Sequence, residues 1–425
     1  MLIVGLFAAV LLVYGLVSGA LGRRSITPQI AVMTVGLIAG LAVAELPVTH
    51  LTTEGLRLVG ELALVLCLFS DASRIDIRSI KGSANLPARL LLIGLPLTIV
   101  LGVGAALVIL PGIGLVGAFL LAVLLAPTDA GLGQAVVNDR SIPVRIRQAI
   151  NVESGVNDGC VTPLVLFAVA IEEVELGGTE TAWVQFAVSQ IGVGVLVGVV
   201  LGVVGAWLLR WAVANGHLSR SFRWVVAPAL AILAWTLTPA VGGNAFIAAF
   251  VAGIATAAVS GRLPDAYTEF GETAGELAGL AVFFLLGLLV PQLEGYSIAV
   301  LAYALLSLTV IRMVPVAVAL VGTRLALPSV AFIGWFGPRG LASIVLGLLA
   351  LGDGGTPALG SAIAATLATT VVLSVLAHGL SARPLVRAYG RFAGGLPATA
   401  PELGDTPDLP TRRLAHVEAR PSAAE

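Results

Sequence analysis

The chain has 425 residues, of which 58% are hydrophobic and only 11% charged, far from the roughly 25% charged composition of soluble domains. That excludes a water-soluble core as the basis of the fold; apolar runs of about 20 residues, enough to cross hydrocarbon, recur almost throughout. A net charge of −1 says little about partners, but there is no basic stripe for nucleic acid, and Cys67 and Cys160 lack the spaced partners of a disulfide framework or zinc site.

In chain order, the first apolar run, Leu2 to Leu21, has no basic stretch before it and is followed by Arg23 and Arg24, the order of a retained helix rather than a cleaved signal. Further runs begin near Gln29, Glu54, Pro87, Gly112, Ala149, Trp183, Trp224, Asn244, Leu277, Ser297, Val330 and Ala358, so the expected fold is all-α and polytopic, with about thirteen transmembrane helices. Basic residues follow the odd-numbered spans: Arg23 and Arg24; Arg74, Arg78, Lys81 and Arg89; Arg140, Arg145 and Arg147; Arg210, Arg220 and Arg223; Arg262; Arg324. The even connections carry neutral or acidic strings such as Ile171 to Glu180, and Arg57, early in span three, is the exception. With Arg383, Arg387 and Arg391 after the last span, an N-terminus outside and a C-terminus in the cytoplasm are expected. The transmembrane domain is placed at residues 1–392, and residues 393–425, rich in Pro, Ala, Thr and charge, read as a disordered cytoplasmic tail. No soluble enzyme module is visible, and no enzymatic activity or cofactor is expected.

An odd number of spans between two halves inverts one relative to the other, which predicts inverted repeats at about residues 1–170 and 224–382. The fifth span is interrupted at Ala126-Pro127-Thr128-Asp129 and the twelfth at Gly337-Pro338-Arg339-Gly340, matching places in the two halves. Proline removes an N–H and frees carbonyls that only a protein-lined or wet cavity tolerates at membrane depth. Two crossed discontinuous helices of this kind build a midplane ion site.

Ionisable side chains inside a membrane are costly and rare. Here they are Glu61 and Asp71 on span three, Asp129 on span five, Glu153 and Asp158 on span six, Arg312 on span eleven and Arg339 on span twelve. Within NVESGVND (Asn151 to Asp158), helical spacing puts Asn151, Ser154 and Asp158 on one face, extended by Thr162. Glu153 and Asn157 fall on another, where Glu153 can meet an arginine of span eleven or twelve. Asp158, Ser154 and the broken backbone at Thr128 offer a hard cation such as sodium a carboxylate, a hydroxyl and carbonyls. A carboxyl in a partly desolvated cavity can hold a proton near neutral pH, whereas a bound cation favours the ionised form, so the two compete for one group. Glu153, Arg312 and Arg339 read as buried ion pairs that fix helix register. Asp71, beside Arg74, reads either as a solvated interfacial charge or as a funnel acid, and His378 as an interfacial side chain.

These residues resemble the NhaP/NHE branch of the monovalent cation:proton antiporters, over about Ile30 to Gly390. The core of the resemblance is LLAPTDAGLGQAVVNDRSIPVRIRQAINVESGVNDG (Leu124 to Gly159). GGNAFIAAFVAG (Gly242 to Gly253), FFLLGLLV (Phe283 to Val290), FGPRGLASIVL (Phe336 to Leu346) and LAHGLSARPL (Leu376 to Leu385) extend it in order. The resemblance implies an NhaA/NhaP-like antiporter fold of thirteen helices, a homodimer in lipid, and an elevator-like movement of a core domain. It makes Asp158 the exchange carboxylate, joins Asn157, Thr128, Asp129 and Ser154 to the ion site, and makes Glu153, Arg312 and Arg339 structural pairs. Asn157, in place of a second aspartate, implies electroneutral exchange. Asp71 stands where many prokaryotic members have glutamate, and Glu61 matches no family motif.

The expected activity is therefore exchange of a monovalent cation, sodium foremost, for a proton. A potassium/proton antiporter of the same fold and a transport-inactive membrane sensor or scaffold are the alternatives. An aspartyl hydrolase using Asp129 and Asp158 lacks a Gly-rich substrate motif, and a channel would differ in showing single-channel current. One lysine among 23 basic residues suggests a GC-rich bacterium and hence a plasma membrane.

Overall fold

A computed structural model describes residues 2–42, 51–74, 85–175, 180–261, 263–352, 357–404 and 406. Arg78, Lys81 and Arg262, used above for orientation, and residues 407–425 of the expected tail lie outside them. The described residues form helices and connections without strands. In order these are α1 (Leu2–Arg23), α2 (Pro28–Ala42), α3 (Leu51–Ser73), α4 (Asn85–Ile109), α5 (Gly114–Leu124), α6 (Ala130–Val137), α7 (Val144–Glu175) and α8 (Glu180–Ala214). They continue as α9 (Val226–Ala240), α10 (Ala245–Ser260), α11 (Asp265–Leu289), α12 (Ile298–Ala319), α13 (Leu327–Trp335), α14 (Leu341–Gly352) and α15 (Pro357–Gly394). Eight of the helical segments are long and apolar enough to cross a membrane, and four shorter helices are comparably apolar. The protein is an all-helical, multi-pass membrane protein.

Local sequence explains where the helices start and bend. Asn244 accepts from the N–H groups of Phe246 and Ile247 to cap α10, and Ser297 caps α12 through Val300, each satisfying donors that a helix start leaves open. In α4 a π-helical turn, Leu90–Gly94, precedes Pro96. The wider turn relieves the clash between a proline ring and the carbonyl four residues earlier.

The helices pack as two bodies. One contains α2, α3 and α8 to α11, with α2 and α10 in especially close approach to α11 and α8; the other contains α4 to α7 and α12 to α15. They meet where α7 and α14 face α3, α8, α10 and α11. Glycine permits the close crossings: a methyl group at Gly287 of α11 would collide with the Met33 carbonyl of α2.

Two expectations differ from what is observed. The apolar run expected from about Leu277 belongs to a helix, α11, that begins at Asp265 and carries Glu272 and Glu276 into the bundle. A window seeking uninterrupted apolar residues stops at those acids, although their spacing puts them on one helix face. Second, the chain from Ala393 to Gly404, assigned above to the tail, is folded: α15 runs to Gly394 and a 3-10 turn, Pro401–Leu403, buries Glu402. Glu402 accepts from the Ala326 N–H and the Ser329 hydroxyl at the start of α13, both at 2.8 Å.

Candidate functional site

The interruptions α5–α6 and α13–α14 lie against each other, and their charged residues satisfy each other's helix ends. Asp129 caps α6, accepting through Oδ1 from Gly131 N (2.7 Å) and Leu132 N (3.1 Å). Through Oδ2 it accepts from Leu341 N, the start of α14, at 2.7 Å. One carboxylate thus serves two helix N-termini, where backbone donors and the helix dipole favour negative charge. Gly340 is required there, because a Cβ at that position would collide with the Asp129 carboxylate. The Asp129 N–H in turn donates to the Pro338 carbonyl at 2.7 Å.

Arg339 does the converse. Its side chain is 0% exposed, and Nη1 donates to the carbonyls of Ala126 (3.1 Å), Pro127 (3.2 Å) and Gly337 (3.3 Å). These are the carbonyls just beyond the ends of α5 and α13, where positive charge is favoured. Both charges at the crossing therefore serve backbone. Asp129, expected within the ion site, has both carboxylate oxygens engaged in capping. Arg339, expected in an ion pair, is bonded to carbonyls.

The α7 helix lies beside both breaks. Ser154 Oγ and Thr128 Oγ1 are hydrogen-bonded at 2.9 Å, and Asn157 Nδ2 donates to Thr128 Oγ1 at 2.6 Å. Asn157 is 1% exposed, and its Oδ1 has no hydrogen-bond partner among the described residues. The helical-wheel division put Asn157 away from Ser154, on the Glu153 side. Instead both reach Thr128, because a side chain three residues further along a helix can converge on a group lying between the two. Glu153, on the far side, forms a buried two-pronged pair with Arg312 of α12, with Nη2 to Oε2 at 2.8 Å and a second bond from Nη1 to Oε1. Arg312 lies against Gly337, where a Cβ would collide with its guanidinium.

Asp158 is half-buried and sits between this cluster and the other body. Gly155, one turn earlier, packs on the Asp71 side chain of α3, and Gly159 packs on the ring of Phe250 of α10. Asp71 is thus beside the α7 face that carries Asp158. Thr162 donates to the Asp158 carbonyl at 2.9 Å. Pro163, inside α7, has no N–H, so the Gly159 carbonyl lacks its usual helical donor. The spacing of the proline marks that freed oxygen next to Asp158 in the sequence.

Other charged residues fall into place nearby. Both carboxylate oxygens of Glu61 are used, by Arg57 Nε and by Trp235 Nε1 of α9, each at 2.9 Å, in the packing of α3 on α9. Arg74 pairs with Glu272 of α11, and Gln134 of α6 donates to Glu276 of α11 at 2.6 Å. Glu272 and Glu276 were missed with the start of α11. His378 is not an interfacial side chain: it is 1% exposed and both ring nitrogens are hydrogen-bonded.

Two interrupted helices crossing at opposite charges, with hydroxyl, amide and carboxyl groups alongside, define a multi-pass membrane protein built around paired broken helices. The chain belongs to the sodium/hydrogen exchanger family, whose transmembrane profile matches residues 7–388. It is 28% identical over 212 residues to the uncharacterized Na(+)/H(+) exchanger YjcE of Escherichia coli (strain K12), a match spanning 47% of this chain and 38% of that relative. The fold is similar to that of the sodium proton antiporter MjNhaP1 from Methanocaldococcus jannaschii at pH 8, with a TM-score of 0.72, 19% identity, and coverage of 95% of this chain and 99% of that one. An electron-microscopy structure of the same antiporter gives a TM-score of 0.73 at 21% identity, covering 93% and 98%.

Proposed function

We propose that the protein exchanges a monovalent cation, sodium foremost, for a proton by alternating access at Asp158. The observation carrying this reading is the uncharged oxygen cluster of Thr128, Ser154 and Asn157 beside that carboxyl, at the boundary between two helical bodies. Hard alkali cations take carboxylate, hydroxyl, amide and carbonyl oxygens, and these are the groups assembled here. A proton on Asp158 removes the charge the cation needs, so each displaces the other. Asn157 contributes no second charge, which favours one-for-one, electroneutral exchange. Asp129 and Arg339 hold the crossing, while Asp158 carries the cargo. Asp71, whose side chain packs on Gly155 from the opposing body, serves to attract cations to the α7 face.

On this reading the second body moves against the first, lifting the α7 site between the two sides of a plasma membrane. The chain works as a homodimer with its C-terminus in the cytoplasm, and its halves are inverted repeats.

The test is exchange in proteoliposomes with an entrapped pH dye, with sodium, potassium and lithium in parallel. Added sodium dissipates an acidic interior, and Asp158→Asn abolishes the response; exchange persisting in that variant sinks the assignment. Lowering pH in the range where the carboxyl is mostly protonated raises the half-saturating sodium concentration by up to about tenfold per unit, because the ligand must be deprotonated to bind. A half-saturation that ignores pH contradicts competition at one group. Potassium responding in place of sodium selects the potassium/proton alternative.

A further inference from the structure

We propose that His378 is a positioning residue of the cation site, acting with Ser374 as a bridge that sets the geometry of the α13–α14 interruption. The inference rests on the antiport reading for its functional part and on α15 geometry for the rest.

Trp335 is the last residue of α13 and Arg339 the second-last before α14. Their backbone groups are joined through two side chains one turn apart on α15. The Arg339 N–H donates to Ser374 Oγ at 2.7 Å. Ser374 Oγ lies 3.2 Å from His378 Nδ1, and His378 Nε2 lies 2.9 Å from the Trp335 carbonyl. A carbonyl oxygen only accepts, so the ring proton is donated to the Trp335 carbonyl from Nε2 in one tautomer and to the Ser374 carbonyl from Nδ1 in the other. The Ser374 hydroxyl oxygen receives Arg339 N–H on one side and meets the imidazole Nδ1 on the other. Nδ1 also lies 2.9 Å from the Ser374 carbonyl. The contacts from Arg339 N–H through Ser374 and His378 to the Trp335 carbonyl thus close the gap in the interrupted helix. The Trp335 ring packs on the imidazole with centroids 5.1 Å apart, and its Nε1 donates to Ser381 at 2.9 Å.

The segment so held is the one that touches the other break. Pro338 gives its carbonyl to Asp129 N–H, and Arg339 holds the Ala126 and Pro127 carbonyls. Thr128 lies between these contacts, and its hydroxyl is shared by Ser154 and Asn157. His378 touches none of the proposed cargo ligands, but the bridge fixes the backbone on which Thr128 is oriented. Partners that orient ligands in this way change metal affinity by about 10- to 100-fold when removed.

The experiment uses the full chain in proteoliposomes, titrated with sodium against an entrapped pH dye, and compares His378→Leu, His378→Gln and Ser374→Ala with the wild type. His378→Leu is expected to raise half-saturating sodium by about tenfold or more, and His378→Gln, which keeps a donor for Trp335, to recover most of that loss. Ser374→Ala should shift half-saturation in the same direction and carries the test where His378→Leu does not fold. Unchanged half-saturation in both His378→Leu and Ser374→Ala, or a fall in maximum rate alone, overturns the proposal. Amide hydrogen exchange over residues 335–341 separates the two readings. Faster exchange in His378→Leu together with a wild type that moves no cation upholds the bridge and overturns antiport; unaltered protection overturns the bridge whatever the transport result.

Discussion

At the α5–α6 interruption Thr128 meets the uncharged side chains of Ser154 and Asn157, whereas at the α13–α14 interruption Gly337 lies against Arg312, itself paired with Glu153. Successive residues of α7 thus serve different breaks, Ser154 directly and Glu153 through Arg312 of α12. The contrast separates holding from carrying. Charge committed to an ion pair or to helix ends is fixed in place, and exchanging it would leave a buried charge uncompensated. Hydroxyls and an amide can rotate to accept or donate, so the side of the α5–α6 break lined by Thr128, Ser154 and Asn157 is the one able to gain and lose a cation.

The contrast is broken most directly at Glu153. Glu153→Gln leaves Arg312 buried without its countercharge and is expected to destabilise the protein by about 3–5 kcal/mol, read as thermal unfolding in detergent. The double substitution Glu153→Leu with Arg312→Met should lose much less, because replacing both members of a buried pair by apolar groups is often near neutral. A single substitution as mild as the double one would show that the pair does not brace the second break. Next in size is Asp129→Asn. The amide keeps one acceptor oxygen but removes the charge shared by the starts of α6 and α14, a loss of about 1.5–3 kcal/mol for a charged hydrogen-bonding group. If Asp129 instead carried cargo, this variant would abolish exchange while leaving unfolding almost unchanged.

The two breaks, the charge at each and the α7 motif are legible in the sequence because proline and charge are costly inside apolar runs and survive there where a cavity or a partner accommodates them. What each charge touches is not. Asp129 and Arg339 look like members of a charge cluster until their hydrogen bonds show them capping helix ends, since backbone groups freed at a break have no signature of their own. Asn157 was misplaced because a wheel ranks directions around one helix and ignores a neighbour lying between two directions. The start of α11 was hidden for the opposite reason: Glu272 and Glu276 are satisfied by Arg74 and Gln134 from other helices, pairings no hydropathy window can contain. His378 reads as an interfacial residue in the sequence because its acceptor, the Trp335 carbonyl, exists only where α13 ends.

Thr128→Val sharpens the comparison with a smaller change. It removes the hydroxyl that Ser154 and Asn157 share, at about 1 kcal/mol of stability, yet it should raise half-saturating sodium, the reverse of the Glu153 pattern in which stability falls first. Equal losses of stability at Thr128 and Glu153 would erase the distinction between the breaks.

The smallest effect belongs to Glu402. Its carboxylate accepts from Ala326 N–H and Ser329 at the N-terminus of α13, Tyr389 donates to the same Ser329 at 2.8 Å, and Arg145 of α7 holds the Pro401 carbonyl. The folded segment after α15 therefore braces the far end of the α13–α14 limb. Glu402→Gln keeps an acceptor oxygen and removes only the charge facing the helix start, a change of about 0.3–1 kcal/mol. Unfolding should shift slightly while half-saturating sodium stays put, because the brace lies a whole half-helix away from Pro338. A change in half-saturation without a change in unfolding would instead mean that α13 passes strain from its outer end to the crossing, so that both ends of the limb tune the site.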